Sequence, residues 1–181
     1  MKYIFIDRDG VINRDPSDWG KDYVTQWREF VFVPGSLEAL TELTRRGYRI
    51  VVISNQAGVG KGVYPQSALD AITARMIEEI EARGAKIYSV QYCTHTADDR
   101  CDCRKPKAGL FKKATEGRSV DLGSTYFIGD MERDIEAGKN AGCRTILVLS
   151  GKTKNRADVE GWAAKPDLIK GDLKEAIGVM K

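Results

Sequence analysis

The sequence predicts an α/β fold of three layers, a parallel β-sheet with helices on both faces, in a single domain over residues 1–181. Three observations predict it. The chain has 181 residues, 42% of them hydrophobic and 30% charged, which supplies one sizeable core and leaves two full domains cramped. Short continuous apolar runs alternate with segments whose apolar residues recur at helical spacing, a βαβα order that builds a parallel sheet through right-handed crossovers. Residues able to do chemistry stand where the strand-like runs stop, at the sheet edge where such folds gather ligands.

The elements follow in order. Lys2 to Ile6 is an apolar run ending at Asp7, the pattern of a strand buried on both faces. Pro34-Gly35-Ser36 opens a helix with Leu37, Leu40 and Leu43 in register, closed by Arg45-Arg46-Gly47. Arg49 to Ile53 is a second strand, ended by Ser54 and Asn55, and the Gly-rich turn 55–62 leads to a helix over 65–83. Ile87 to Tyr92 is a third strand, followed by a helix over 108–116, a strand over 126–128, a helix over 133–141 and a strand over 145–149. Residues 152–165 read as a polar surface stretch, and 166–181 as a last short strand and helix.

Composition excludes several function classes. Twenty-nine basic against 26 acidic residues leave a net charge of +3 with both signs scattered, so no basic stripe marks a nucleic-acid partner. No apolar run approaches the roughly 18 residues of a membrane span, and the N-terminus carries no signal-peptide pattern. The expectation is a soluble, cytoplasmic monomer.

Three of the four cysteines and the single histidine fall within eleven residues, as Cys93-x-His95-x5-Cys101-x-Cys103. Three thiolates and one imidazole complete a tetrahedral zinc shell, the alternative being free thiols or a local disulfide. A closed shell keeps no position for water, so this zinc is expected to be structural. Cys143 reads as a small core residue.

Chemistry is expected among the carboxylates. Asp7 and Asp9 stand at the tip of the first strand, and Asp130 arrives from another strand end with Asp134 one helical turn later. Carboxylates so clustered call for a hard divalent cation such as Mg²⁺. Ser54, the amides of Asn55 and Gln56, and Lys105 are donors for an anion beside it, which together describe a phosphoryl site. Taken singly, the aspartates could be turn and cap residues; their joint position at one sheet edge argues otherwise. Gly58-Val59-Gly60-Lys61-Gly62 lacks the upstream Gly and the Ser or Thr of a P-loop, and reads as a turn bordering the site. The three tryptophans and the loop tyrosines receive no role.

Asp7-Arg8-Asp9-Gly10-Val11, Ser54-Asn55-Gln56, Arg104-Lys105-Pro106 and Gly129-Asp130-x3-Asp134 resemble the four ordered motifs of the haloacid dehalogenase superfamily of phosphatases. The cysteine and histidine insertion before Arg104 is similar to that of its zinc-bearing subgroup. The resemblance covers roughly residues 3 to 149. It implies a Rossmann-like sheet without a large cap domain and an aspartyl-phosphate mechanism. Asp7 is then the nucleophile and Asp9 the general acid and base. Mg²⁺ is held by Asp7, Asp130 and the backbone carbonyl of Asp9, with Asp134 in support. Ser54 and Lys105 bind phosphoryl oxygens, Asn55 and Gln56 line the pocket, and Arg104 contacts a substrate implied to be a heptose 1,7-bisphosphate losing its 7-phosphate.

Three positions depart from the pattern. Met131 stands where a basic residue is frequent, Ser54 where Thr is frequent, and residues 15–23 form an unusual flap. Histidinol phosphate or another small sugar phosphate is the alternative substrate. A zinc-loop interaction module is the remote alternative, in which the carboxylates are incidental.

Overall fold

A computed structural model describes residues 2–180. Six strands, β1 (Lys2–Ile6), β2 (Tyr48–Asn55), β3 (Ile87–Cys93), β4 (Tyr126–Gly129), β5 (Arg144–Val148) and β6 (Leu168–Lys170), form one sheet in the order β3-β2-β1-β4-β5-β6. Every pairing is parallel. Helices α1 (Ser36–Arg45), α2 (Gln66–Glu81), α3 (Gly109–Thr115), α4 (Glu132–Ala141) and α5 (Leu173–Gly178) make the crossovers and the closing segment. Lys181, the expected end of that segment, lies outside the described residues, as does Met1.

Side-chain alternation along the strands divides the core between two faces. Ile4 and Ile6 of β1 join Ile50, Val52, Ile128 and Val148 against Leu40 and Leu43 of α1, Ile72 and Met76 of α2, and Leu173 of α5. Tyr3 and Phe5 point the other way, with Val51, Ile53 and Phe127, against Leu110 and Phe111 of α3 and Ala137 of α4. On that second face Phe111 meets Phe5 and Phe127 edge-on, with ring centroids 5.1 and 5.0 Å apart. Burying each such ring contributes roughly 1.5–3 kcal/mol, and together they make a rigid base under the ends of β1 and β4.

Two expectations shift. β2 runs through Ser54 and Asn55, which pair with Tyr92 and Cys93 of β3, so the strand extends past Ile53 and Asn55 belongs to it rather than to the Gly-rich turn. The stretch 152–165 is more than surface: Thr153 and Val159 are buried, and Val159 packs with Ile135 and Leu147.

The chain steps outward from β1 through β2 to β3, then crosses to β4 on the other side of β1. The connections therefore part between β1 and β4, which opens a crevice beyond their carboxyl ends. No helix among the described residues is long and apolar enough to cross a membrane.

Candidate active site

The crevice floor is built from the residues just beyond β1 and β4. Asp7 continues β1, and its N–H still donates to the Ile128 carbonyl at 2.9 Å. Asp130 continues β4, and Asp134 turns back from the first turn of α4, where its Oδ2 accepts from the N–H groups of Asp130 (3.2 Å) and Met131 (3.0 Å). These bonds satisfy donors that the helix start leaves open. One oxygen from each of Asp7, Asp130 and Asp134 lies within 4.8 Å of the others, and all three residues are buried.

Lys105 is the counter-charge. Its Nζ lies 2.9 Å from Asp7 Oδ2 and 2.8 Å from Asp134 Oδ1, and it donates to the Ile53 carbonyl at 3.0 Å. Burial works against its charge, but Asp134 and Asp7 overcome that and raise its pKa. Three carboxylates thus face a single ammonium. Burial raises the Asp7 pKa to about 6, with Lys105 pulling it down and Asp134 pushing it up. Burial, then Asp134 and Asp7, raise Asp130 well above the ordinary carboxylate range. An all-oxygen set so buried and so close together fits a hard divalent cation, which would offset both the cost of burial and the mutual repulsion of the carboxylates.

Backbone must come very close to Asp130 for this floor to close. A Cβ on Gly10, which has φ +82°, would sit 2.3 Å from Asp130 Oδ2, and one on Gly151 would sit 2.1 Å away. Both positions therefore need glycine. The same oxygen accepts the Lys152 N–H at 2.6 Å.

The strand-held motif of β2 behaves differently from its sequence reading. Ser54 and Asn55 line the cavity. Asn55 clasps Lys105, accepting its backbone N–H at 3.0 Å and donating to its carbonyl at 3.1 Å. Gln56 was expected to line the pocket but does not: it is buried behind the cavity wall, bonded to Ser54 and Asp9. Asp134, expected as support for Mg²⁺, also pairs directly with Lys105. Asp9 lines the cavity, and its carboxylate accepts from Arg8, Asn13 and Gln56. Burial alone would raise its pKa; the Arg8 charge and these hydrogen bonds outweigh burial and hold it below the ordinary value.

β3 ends at Cys93 and delivers the second metal candidate. Cys103 Sγ lies 3.2 Å from Cys93 Sγ, 3.5 Å from Cys101 Sγ and 3.2 Å from His95 Nδ1, and Cys93 Sγ lies 3.7 Å from both Cys101 Sγ and His95 Nδ1. Ligands about 2.0–2.3 Å from one zinc stand roughly 3.5–3.8 Å apart at the corners of a tetrahedron, so the four atoms fit that shell after small adjustments. All are far beyond the roughly 2.05 Å of a disulfide, and the cysteines are free. Burial, then the Cys103 contact, pushes the Cys93 thiol up to about 12, whereas Cys101 falls to about 7. A metal would ionise all three thiols at once. Lys105 follows Cys103 by two residues, so a metal held by these four ligands would tie down the stretch of chain that carries the ammonium.

Known proteins place this arrangement. The family model for HAD-hydrolase-like proteins matches residues 102–176. The chain is 38% identical over 149 residues, 82% of either chain, to the D-glycero-β-D-manno-heptose-1,7-bisphosphate 7-phosphatase of Pseudomonas aeruginosa. It is 37% identical over 173 residues to the Pseudomonas putida enzyme of the same name, covering 96% of this chain and 95% of the relative. The chain belongs to the haloacid dehalogenase-like hydrolases. Among solved structures, D,D-heptose 1,7-bisphosphate phosphatase from B. bronchiseptica, complexed with magnesium and phosphate, superposes with a TM-score of 0.89 at 31% identity, over 98% of this chain and 97% of that one.

The positions that depart from the resemblance lie at the cavity rim. Met131 lines the cavity, and Arg133, whose Nη2 lies 2.9 Å from Met131 Sδ, lines it too. A guanidinium two residues on thus occupies the region where the sequence at 131 lacks a basic group. The flap contributes Asp15, Pro16, Lys21, Asp22 and Tyr23, with a short 3-10 helix over Pro16–Trp19. Arg104 lines the same cavity, and Nη1 donates to the His95 carbonyl at 3.2 Å. Sequence reasoning passed over Arg133, Lys152 and Lys21, because nothing in their local patterns separates them from solvated surface charges. Arg8, between the two aspartates of the first motif, is fully buried behind the cavity and pairs with Asp9.

Proposed function

We propose that the protein is a Mg²⁺-dependent phosphatase that removes the 7-phosphate from D-glycero-D-manno-heptose 1,7-bisphosphate through an aspartyl-phosphate. The observation that carries this reading is the set of three buried carboxylates within 4.8 Å of one another, countered by Lys105 at the β1/β4 crevice. Mg²⁺ would be held by Asp7, Asp130 and the Asp9 carbonyl, and when bound it neutralises charge on the phosphoryl oxygens. Zinc would be held by Cys93, His95, Cys101 and Cys103 in a structural role, tying down the loop that carries Arg104 and Lys105. The reading includes a monomeric enzyme in the cytoplasm whose partner is a small phosphorylated sugar.

In the first step a carboxylate oxygen of Asp7 bonds to phosphorus while the bond from phosphorus to the sugar oxygen breaks. The leaving oxygen takes a proton from Asp9, which the approaching phosphoryl dianion favours in its protonated form by charge repulsion. In the second step water attacks the aspartyl-phosphate and gives its proton to Asp9, and phosphate leaves with Asp7 restored. Ser54 and Lys105 donate to the phosphoryl oxygens, where charge is greatest in transfer. Asn55 holds Lys105 by its backbone, which keeps the ammonium aimed without a rotamer search.

The rim supports a substrate with a second anion. Lys21, Lys61, Arg104, Arg133 and Lys152 line the cavity against Asp15 and Asp22, so five cations face two acids above the floor. A guanidinium fork suits a phosphate, whereas the cation of histidinol phosphate prefers an acidic rim. The expected kcat/KM for the heptose bisphosphate exceeds that for histidinol phosphate by more than about tenfold, about 1.4 kcal/mol. Steady-state kinetics on both with Mg²⁺ checks this, and turnover confined to histidinol phosphate would reverse the assignment.

Proton linkage gives an independent check on the cation. With divalent ions stripped, Asp7 and Asp130 have raised pKa values, so between 3.8 and about 6 the native state binds more protons than the unfolded chain. Their contribution is then lost as pH rises through that window, and melting temperature falls. Asp9, with its lowered pKa, is already ionised there and does not reverse the trend. Added Mg²⁺ should raise the melting temperature more above about pH 6 than near pH 4. Calorimetry across pH with and without Mg²⁺ measures both slopes, and an increment independent of pH would contradict ligation by these carboxylates.

A further inference from the structure

Asp9 does not stand free at the cavity wall. Its Oδ1 receives Arg8 Nε at 3.3 Å, Arg8 Nη2 at 3.0 Å and Asn13 Nδ2 at 2.9 Å, while its Oδ2 receives Arg8 Nη2 at 3.0 Å and Gln56 Nε2 at 2.7 Å. Arg8 is fully buried, with its guanidinium 5.9 Å from the Phe30 ring centroid and 5.6 Å from that of Tyr92. A guanidinium can only donate, so it always presents donors to a carboxylate.

Gln56 differs in kind, because an amide can present either end and only its NH₂ end attracts a carboxylate. Two donors decide which end faces Asp9. Gln56 Oε1 accepts Arg8 Nη2 at 3.0 Å and the Tyr64 hydroxyl at 2.9 Å, which leaves Nε2 to donate to Asp9 and, at 3.1 Å, to Ser54 Oγ. The Gly-rich turn supplies the last anchor. A Cβ on Gly58 would lie 2.3 Å from Tyr64 Cε1, so glycine there lets the Tyr64 ring close over the amide.

We infer that Gln56 is a positioning residue for proton transfer, fixing the Asp9 carboxylate relative to Ser54 while Arg8 and Tyr64 fix the amide. Gln56 touches no substrate in this role. It joins the proton donor to a phosphoryl-binding hydroxyl, so that the leaving oxygen and the phosphorus are addressed in one frame. The inference rests on Asp9 as the proton donor proposed above.

The test exploits the fact that a proton donor matters most to the leaving group that most needs a proton. A series of aryl phosphates from p-nitrophenyl phosphate to phenyl phosphate is turned over by the full-length enzyme with Mg²⁺, and log kcat/KM is plotted against leaving-group basicity. Gln56→Met, close in volume, should lose about 10²-fold on phenyl phosphate and only a few fold on p-nitrophenyl phosphate, giving a steeper slope. Tyr64→Phe keeps the ring and removes one anchor, so it should steepen the slope less and serves where Gln56→Met fails to fold. A purely structural role would lower every substrate alike. An unchanged slope in the variants that fold overturns the inference. Asp9→Asn separates the two readings: if its slope equals that of the unaltered enzyme, the assignment of Asp9 itself fails; if it steepens while Gln56→Met and Tyr64→Phe do not, only the role of Gln56 falls.

Discussion

Asp7→Asn is expected to lower turnover of the heptose bisphosphate by about 10⁴–10⁶-fold, the scale on which loss of a covalent nucleophile is felt, while leaving the fold intact. The two halves of that expectation come from the same environment. Asp7 is the strand-end carboxylate whose oxygens are held by the Arg8 N–H at 2.7 Å and by Lys105 at 2.9 Å. An amide of the same shape keeps the packing but is a far poorer nucleophile toward phosphorus. Because burial raises the Asp7 pKa to about 6, its ionised form at neutral pH is a net cost to the cation-free protein. Removing that charge should leave the melting temperature without Mg²⁺ unchanged or higher. Steady-state phosphate release and a thermal melt on the same preparation measure both. Full turnover in the variant would mean that Asp7 is not the nucleophile, and an unaltered protein without turnover would leave the carboxylates incidental, as in a zinc-loop interaction module.

The legible and the hidden parts of the site have separate physical origins. The continuous apolar run over Tyr3–Ile6, buried on both faces, and the three-residue spacing of Leu37, Leu40 and Leu43 are local consequences of strand and helix geometry, so the elements were legible to within one or two residues. The three carboxylates were legible because their strand ends meet at the switch between β1 and β4, which the βαβ order already dictates. Gln56 was misread because a polar side chain just after a strand can turn toward the cavity or behind it. That choice is made by Tyr64 and Arg8, whose approach depends on tertiary packing. Asp134 was underestimated for a similar reason: its spacing from Asp130 announces a helix cap, but only the arrival of a distant stretch of chain brings Lys105 within 2.8 Å. Arg133 and Lys152 face the cavity through a loop geometry that no periodicity encodes.

Stripping zinc is expected to inactivate the enzyme even with Mg²⁺ in excess, although no zinc ligand lines the cavity beside the carboxylates. The path of the effect is short. Lys105 lies two residues beyond Cys103, and its ammonium is held at 2.9 Å from Asp7 and 2.8 Å from Asp134 by chain that the four soft ligands tie to the end of β3. Without metal the thiols lose the charge that binds them together, and the loop from 94 to 104 is left to hydrogen bonds such as the Asn55 clasp, the Gly60 N–H bond to the Thr94 carbonyl at 3.0 Å, the Lys107 Nζ bond to the Cys101 carbonyl at 2.7 Å and the Gly109 N–H bond to the Asp102 carbonyl at 3.1 Å. Ordering a loop of that length costs roughly 1–2 kcal/mol per residue in backbone entropy, more than a handful of hydrogen bonds of about 1 kcal/mol each can offset. Lys105 then spends most of its time away from the phosphoryl oxygens, and losing one such donor lowers turnover by about 10²–10³-fold. A chelator selective for soft divalent ions, or Cys103→Ser, should produce this loss together with a lower melting temperature, and zinc but not Mg²⁺ should restore the chelated protein. Metal analysis before and after treatment gives the stoichiometry, with one zinc per chain expected. Zinc-free protein of undiminished activity would mean that Asn55 and the carboxylates hold Lys105 by themselves, and the knot at the end of β3 would then serve stability alone.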